Sequence, residues 1–211
     1  MQEIYIPCER EFIKGIEEFE KHEKRDAMYK VARYLVNLFW GKPADMADAL
    51  GVLLLTWNQA FYRYGSFDFD KLEKCIERNL EKLEMFRERD IVSLSDEDEQ
   101  DIKILFEEFM SSLQIASGGK KGKKSPVAVA KALHLLAPNF FPLWDARIAK
   151  AYRCYYGDDP AERYIQFMKL IKRVVETVRK YNDLSTYRNE IKTVLKLVDE
   201  YNYSKYTKRW I

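Results

Sequence analysis

Between Ser117 and Lys124 the chain reads Ser-Gly-Gly-Lys-Lys-Gly-Lys-Lys, so three glycines and four lysines share one short loop. Glycine frees the backbone for left-handed angles, and the amide groups bared in such a loop can meet an anion together with the ammonium groups around them. Ser125 followed by Pro126 has the form of a helix cap and first helical residue, which puts a helix N-terminus and its partial positive charge directly behind the loop. A phosphate suits that arrangement, and Gly118, Gly119, Lys120, Lys121, Gly122, Lys123 and Ser125 are its candidate contacts. The spacing is not that of a Walker loop after a strand, which sets nucleotide hydrolysis aside. From Phe109 to Trp144 no acidic residue occurs while Lys120, Lys121, Lys123, Lys124 and Lys131 supply five positive charges, a balance that favours a nucleic-acid backbone. A solvated flexible loop accounts for the same composition. Behind it, Val127 to Ala137 is apolar nearly all round; Lys131 and His134 alone are polar, three residues apart on one helix face.

These residues need elements to hold them, and the apolar spacing is helical almost throughout. Phe12, Ile16 and Phe19 mark a first helix, and Val31, Leu35, Leu38 and Phe39 a second that stops at Gly41. A third is expected from about Ala44 to Tyr64, before Gly65 and Ser66, and Asp70 is placed to cap a fourth carrying Leu72, Ile76, Leu80 and Leu83. Ser95 followed by Glu97, Asp98 and Glu99 opens another, because a side-chain cap and early acids both suit exposed first-turn amides. The helix behind the loop should run from Ser125 to Ala137, with Asp145 opening the next and further helices near Ala161–Tyr181 and Leu184–Tyr201. Tyr201, Tyr203, Tyr206 and Trp210 interleave with Lys205, Lys208 and Arg209; such a tail either stacks bases or, as favoured here, docks its aromatics on the core. The fold class is therefore all-α: a compact multi-helix domain over 1–211, one body or two helical lobes with a cleft between them.

The formal net charge of +2 divides unevenly. Up to Glu108 there are 16 basic against 25 acidic residues, and from Phe109 onward 20 against 9. Residues 1–116 thus form an acidic lobe and 117–211 a basic one, the candidate nucleic-acid face unless the two signs neutralise each other across their contact. Cys8, Cys75 and Cys154 are odd in number and widely spaced, which fits a reduced, cytoplasmic compartment without a zinc site. His22 and His134 are the only histidines, too few for a His-based metal site or a serine-type triad, so no metal and no cofactor are expected. The longest apolar run, Ala49 to Leu55, is far short of the ~20 residues that span a bilayer. Aromatic residues at 14% and charged residues at 33% lean toward a heat-adapted, thermophile source with ion-paired surfaces.

Over residues 118–152 the order of parts resembles the helix-hairpin-helix DNA glycosylase superfamily, which sets a glycine hairpin on DNA phosphates, follows it with a buried helix and places an aspartate at the start of the helix after that. The family's Val-Ala or Thr-Ala step, apolar helix and apolar-Pro-apolar-Asp segment are matched by Val129-Ala130, by Lys131 to Ala137 and by Phe141-Pro142-Leu143-Trp144-Asp145. The resemblance implies DNA repair by base excision: removal of a damaged base such as 8-oxoguanine from duplex DNA, nearest in style to the archaeal 8-oxoguanine glycosylases. It makes Asp145 the carboxylate that stabilises the developing sugar cation or activates the nucleophile. Two departures stand out. The Leu-Pro-Gly-Val-Gly hairpin is replaced by Gly118-Gly119-Lys120-Lys121-Gly122, and Ala128 holds the place of the lysine that forms a Schiff base in members with AP-lyase activity. Lys124 and Lys131, about one turn to either side, are the candidate nucleophiles, and an apolar setting would give either the lowered basicity an amine nucleophile needs. Trp57, Phe61, His134 and Trp144 are candidates for the base pocket, although aromatics at helical spacing serve equally as core and His134 reads first as a hydrogen-bonded core histidine. The competing class is a non-catalytic helical module that binds nucleic acid or protein through its basic half.

Overall fold

The three apolar residues Phe12, Ile16 and Phe19 are all buried, so α1 (Glu9–His22) lies with that one face on the core. The computed structural model describes residues 4–189 and 192–211, and over them the chain is all-α with no strand. No helix among the described residues is long and apolar enough to cross a membrane. A short turn ending at Asp26, in the left-handed region at φ 40°, leads to α2 (Ala27–Leu38) and then α3 (Pro43–Trp57). α3 does not reach Tyr64: Asn58 interrupts it at φ −109°, and a separate short helix α4 (Gln59–Tyr62) follows. α5 (Phe69–Arg87) is capped by Asp68, whose carboxylate accepts from the Lys71 amide at 3.2 Å; Asp70 sits inside the first turn, where its charge favours the helix dipole.

Ser95 and Asp98 form a reciprocal cap at the entry to α6 (Glu99–Ser112), as their spacing promised. α7 (Pro126–Leu136) starts where the Ser-Pro step puts it, the Ser125 hydroxyl accepting from the Ala128 amide at 3.2 Å. Small and branched side chains on every side let α2, α3 and α6 all pack on it, and Ala128 to Leu136 are buried apart from Lys131. α8 (Ala146–Ala151) opens at Asp145, and α9 (Pro160–Val178) packs on α6. The single helix expected over Leu184–Tyr201 is two, α10 (Leu184–Tyr187) and α11 (Val194–Asn202), with Glu190 and Ile191 outside the described residues. Thr193 makes the new start: its hydroxyl accepts from the Lys196 amide and donates to the Pro138 carbonyl at 3.0 Å.

Buried side chains from Phe12 to Tyr201 belong to one continuous hydrophobic cluster. The tail continues α11 as a π-helical turn, Tyr203–Lys208, and its aromatics dock as expected. Tyr201 packs on Phe12, Tyr203 on Phe19, and Trp210 stacks on His22 with ring centroids 4.1 Å apart. A Cβ on Gly15 would lie 2.6 Å from the Tyr201 ring, so only glycine lets α1 and α11 cross this closely; the Ser204 hydroxyl reaches the Gly15 carbonyl there at 2.7 Å. Ion pairs run from the basic half to the acidic one: Lys192 to Glu20, Lys196 to Asp26, Lys205 to Glu11, Lys169 to Asp96 and Glu99, and Arg179 to Asp90.

Candidate active site

The end of α3 and the middle of α7 meet at Lys131. A helix C-terminus leaves carbonyl groups without intrahelical partners and carries partial negative charge, so a cation is the natural group to meet it. Lys131 fills that role: its Nζ donates to the Trp57 carbonyl at 3.2 Å and to Asn58 Oδ1 at 2.7 Å, and it sits 4.4 Å from the centre of the Trp57 ring. The interruption at Asn58 frees the Trp57 carbonyl, because the Phe61 amide donates to the Asn58 carbonyl instead. Burial lowers the Lys131 ammonium from its usual 10.5 to about 8, against the opposing pull of Asp199 and Asp145.

Asp145 approaches the same place from α8. Its Oδ1 accepts from the amides of Arg147 and Ile148, each at 2.7 Å, and its Oδ2 accepts from the Thr207 hydroxyl at 2.7 Å. Arg147 donates back to the Thr207 carbonyl, so the π-helical turn and the start of α8 are locked together around this carboxylate. Asp145 is thus both a helix cap and a partner in the electrostatics of Lys131.

A cleft of about 580 Å³ is lined by Phe19, Trp57 and Tyr203, by Asp199 and Lys196 of α11, and by the segment from Lys21 to Met28; Trp57 connects it to Lys131, and neither Lys131 nor Asp145 lines it. That volume accommodates a purine. Asp199 and Lys196 were not singled out from the sequence. Lys196, 1% exposed, holds Asp26 at 3.0 Å and both Asp199 and Glu200 at 3.6 Å, under the rings of Phe19 and Tyr29. Those carboxylates keep its ammonium charged despite burial. Asp199 moves the other way: burial and the carboxylates of Asp145, Glu200 and Asp26 outweigh Lys196 and push its carboxyl up to about 7. The signal for this group was a run of charges, Lys196, Asp199 and Glu200, embedded in an otherwise apolar helix.

The remaining candidates separate. Trp57 lines the cleft. Phe61 is half-buried against Tyr62, and Trp144 is enclosed by Phe106, Tyr156, Tyr164 and Phe167. His134 is fully buried, with Nδ1 donating to the Phe141 carbonyl at 2.8 Å and Nε2 accepting from Tyr29 at 3.0 Å; burial drops it to about 3, so it is a neutral core residue. Lys124 is exposed and borders a different hollow, of about 460 Å³, with Phe106, Met110 and Tyr156. The loop itself is a small hairpin closed by main-chain bonds from Gly122 to Ile115 and from Ile115 to Lys123. Gly118 and Gly122 both take φ 81°, and a Cβ at Gly118 would strike the Tyr64 carbonyl at 2.6 Å. Gly119, Lys121, Lys123 and Lys124 are exposed, Lys120 lies over the Tyr64 ring, and Ser125 is committed to its cap. In comparisons with known proteins, no family model, no curated protein and no solved structure matches the chain.

Proposed function

We propose that the protein is a DNA glycosylase with lyase activity that excises a damaged base, such as 8-oxoguanine, from duplex DNA. The observation that carries this reading is Lys131: an amine of lowered basicity, fixed by Asn58 and by Trp57, which lines a purine-sized cleft, and within the field of Asp145. Such an amine attacks the sugar C1′ as the base departs, and a nearby carboxylate stabilises the positive charge that develops there. Base excision requires the nucleotide to leave the stack, and Trp57 and Tyr203 offer aromatic faces for it. A direct test incubates the purified protein with a small panel of duplexes bearing oxidised, deaminated or alkylated bases. Strand cleavage at one class of lesion is expected, with 8-oxoguanine first. Intact strands and uncleaved bases across the panel would end the proposal.

The glycine loop supports the same reading as a phosphate contact, since its exposed lysines stand ahead of the α7 N-terminus. Replacing Lys120, Lys121, Lys123 and Lys124 together by alanine should weaken DNA binding without altering sequence preference. Each lost phosphate contact should flatten the log–log salt dependence by ~0.9. An unchanged slope, measured by fluorescence anisotropy across a salt series, would remove the loop from the interface.

A further inference from the structure

We propose that the protein pairs with a second copy of itself through the outer face of α2, the two helices running antiparallel. The inference is independent of the chemistry proposed above. A surface helix ordinarily turns its charges to solvent, and α2 does the reverse. Its charged residues are Lys30 and Arg33, and Arg33 lies on the buried side with Tyr29, Ala32 and Val36, donating to the Leu135 carbonyl at 3.3 Å. The outer side carries Ala27, Val31, Tyr34 and Leu38, the last three 51%, 65% and 56% exposed. Steps of four, three and four residues are those of a seam that receives another helix. Beside it, Met28, Val31 and Leu35 of α2 and Val52 and Thr56 of α3 line a groove of about 240 Å³, and none of the described residues lining it is charged. The Thr56 hydroxyl is spent on the Val52 and Leu53 carbonyls of its own helix, at 2.8 and 2.9 Å, so it asks nothing polar of an occupant.

Size and charge select the occupant. The groove is smaller than the ~300 Å³ at which small-molecule sites begin. A phosphate backbone or an anionic lipid surface needs a basic rim, whereas here the exposed Lys30 of α2 is set against the exposed Asp48 of α3. An apolar helix face fits, and α2 supplies one. Read in opposite directions, two copies of α2 set Ala27 against Leu38 and Val31 against Tyr34, small against large at each step, the interdigitation that fills an interface. A parallel pair would oppose Ala27 to Ala27 and Tyr34 to Tyr34, with a gap at one level and crowding at another. With Met28 and Val52, 53% and 57% exposed, the face offers on the order of 500 Å² of apolar surface per copy, most of the ~800 Å² per partner that a stable pair buries. Ala27 and Met28 also line the 580 Å³ cleft, so the pairing brings Leu38 of the second copy to the rim of that cleft.

Sedimentation equilibrium of the full chain between about 1 and 100 µM should show a dimer. Tyr34→Glu, at a side chain mostly in solvent, should stay folded by circular dichroism and weaken self-association about 100-fold, because each copy brings an unpaired carboxylate into the seam. Leu38→Glu, at the end of α2, gives the same reading at a second position. Met85→Glu, exposed on α5, should leave the dimer unchanged. The double variant carrying Val31→Lys and Tyr34→Glu should pair again, since the antiparallel register sets each new cation opposite a new anion. A parent protein that is monomeric at every concentration overturns the inference, and so does a dimer that the folded Tyr34→Glu and Leu38→Glu variants both leave intact. A folded double variant that stays monomeric overturns the antiparallel pairing.

Discussion

Borohydride added to the protein on a lesion-bearing duplex should leave a covalent protein–DNA adduct, and Lys131→Ala should abolish it while Lys124→Ala leaves it unchanged. Both lysines were open candidates from spacing, one about a turn before the position held by Ala128 and one about a turn after. Their surroundings now separate them. Lys124 is exposed and borders a different hollow, whereas burial brings Lys131 to about 8. A reducible imine forms only with an amine, so loss of the adduct identifies the nucleophile as no rate measurement can. Lys131→Ala also opens space against Trp57, so Lys131→Met, which keeps most of the apolar stem, provides a folded control. Adduct formation by the Met variant, or its loss in Lys124→Ala alone, would move the nucleophile elsewhere. Excision by the parent protein without any adduct would point to water as the nucleophile.

The second large effect is expected at Asp145. Asparagine keeps an oxygen where Oδ1 accepts from Arg147 and Ile148, so Asp145→Asn should cost well under the ~1 kcal/mol typical of losing a cap, and DNA binding should persist. On the proposed reading excision should nevertheless fall by ~100-fold or more, because the charge assigned to stabilising the sugar cation is gone. The fall cannot come from the nucleophile's proton, since Asp145 raises the Lys131 value and its removal frees more amine. An excision rate within a few-fold of the parent, with thermal stability unchanged, would reduce Asp145 to a cap.

Where local chemistry decides structure, the sequence was legible. Ser125-Pro126 starts α7 and Asp145 starts α8 because a cap needs only neighbouring amides, and the apolar perimeter of Val127 to Ala137 already implied burial on every side. The break at Asn58 was not legible. Nothing nearby forces α3 to stop there; the freed Trp57 carbonyl is stabilised by Lys131, 74 residues away in the chain. Thr193 likewise starts α11 with help from Pro138, 55 residues away. The candidate site divides in the same way. Lys131 and Asp145 carry their own local signals, a lone cation in an apolar helix and an acid at a cap. Asp199 and Thr207 reach the site only by tertiary packing, and Trp144 and His134, read as pocket candidates, lie in the core among partners that periodicity cannot name.

The close crossing of α1 and α11 at Gly15 has a consequence for synthesis. Residues emerge from the ribosome in order, so the glycine loop and α7 are outside before α11 and the π-helical turn exist. Until those later elements dock against α1, the cleft lacks the wall made by Lys196, Asp199 and Tyr203, and Asp145 lacks its bond from Thr207. On the proposed reading, a nascent chain that has not yet released α11 and the π-helical turn can touch DNA through its lysines but has no enclosed place in which to cut, and reactivity arrives only once those elements have emerged and docked.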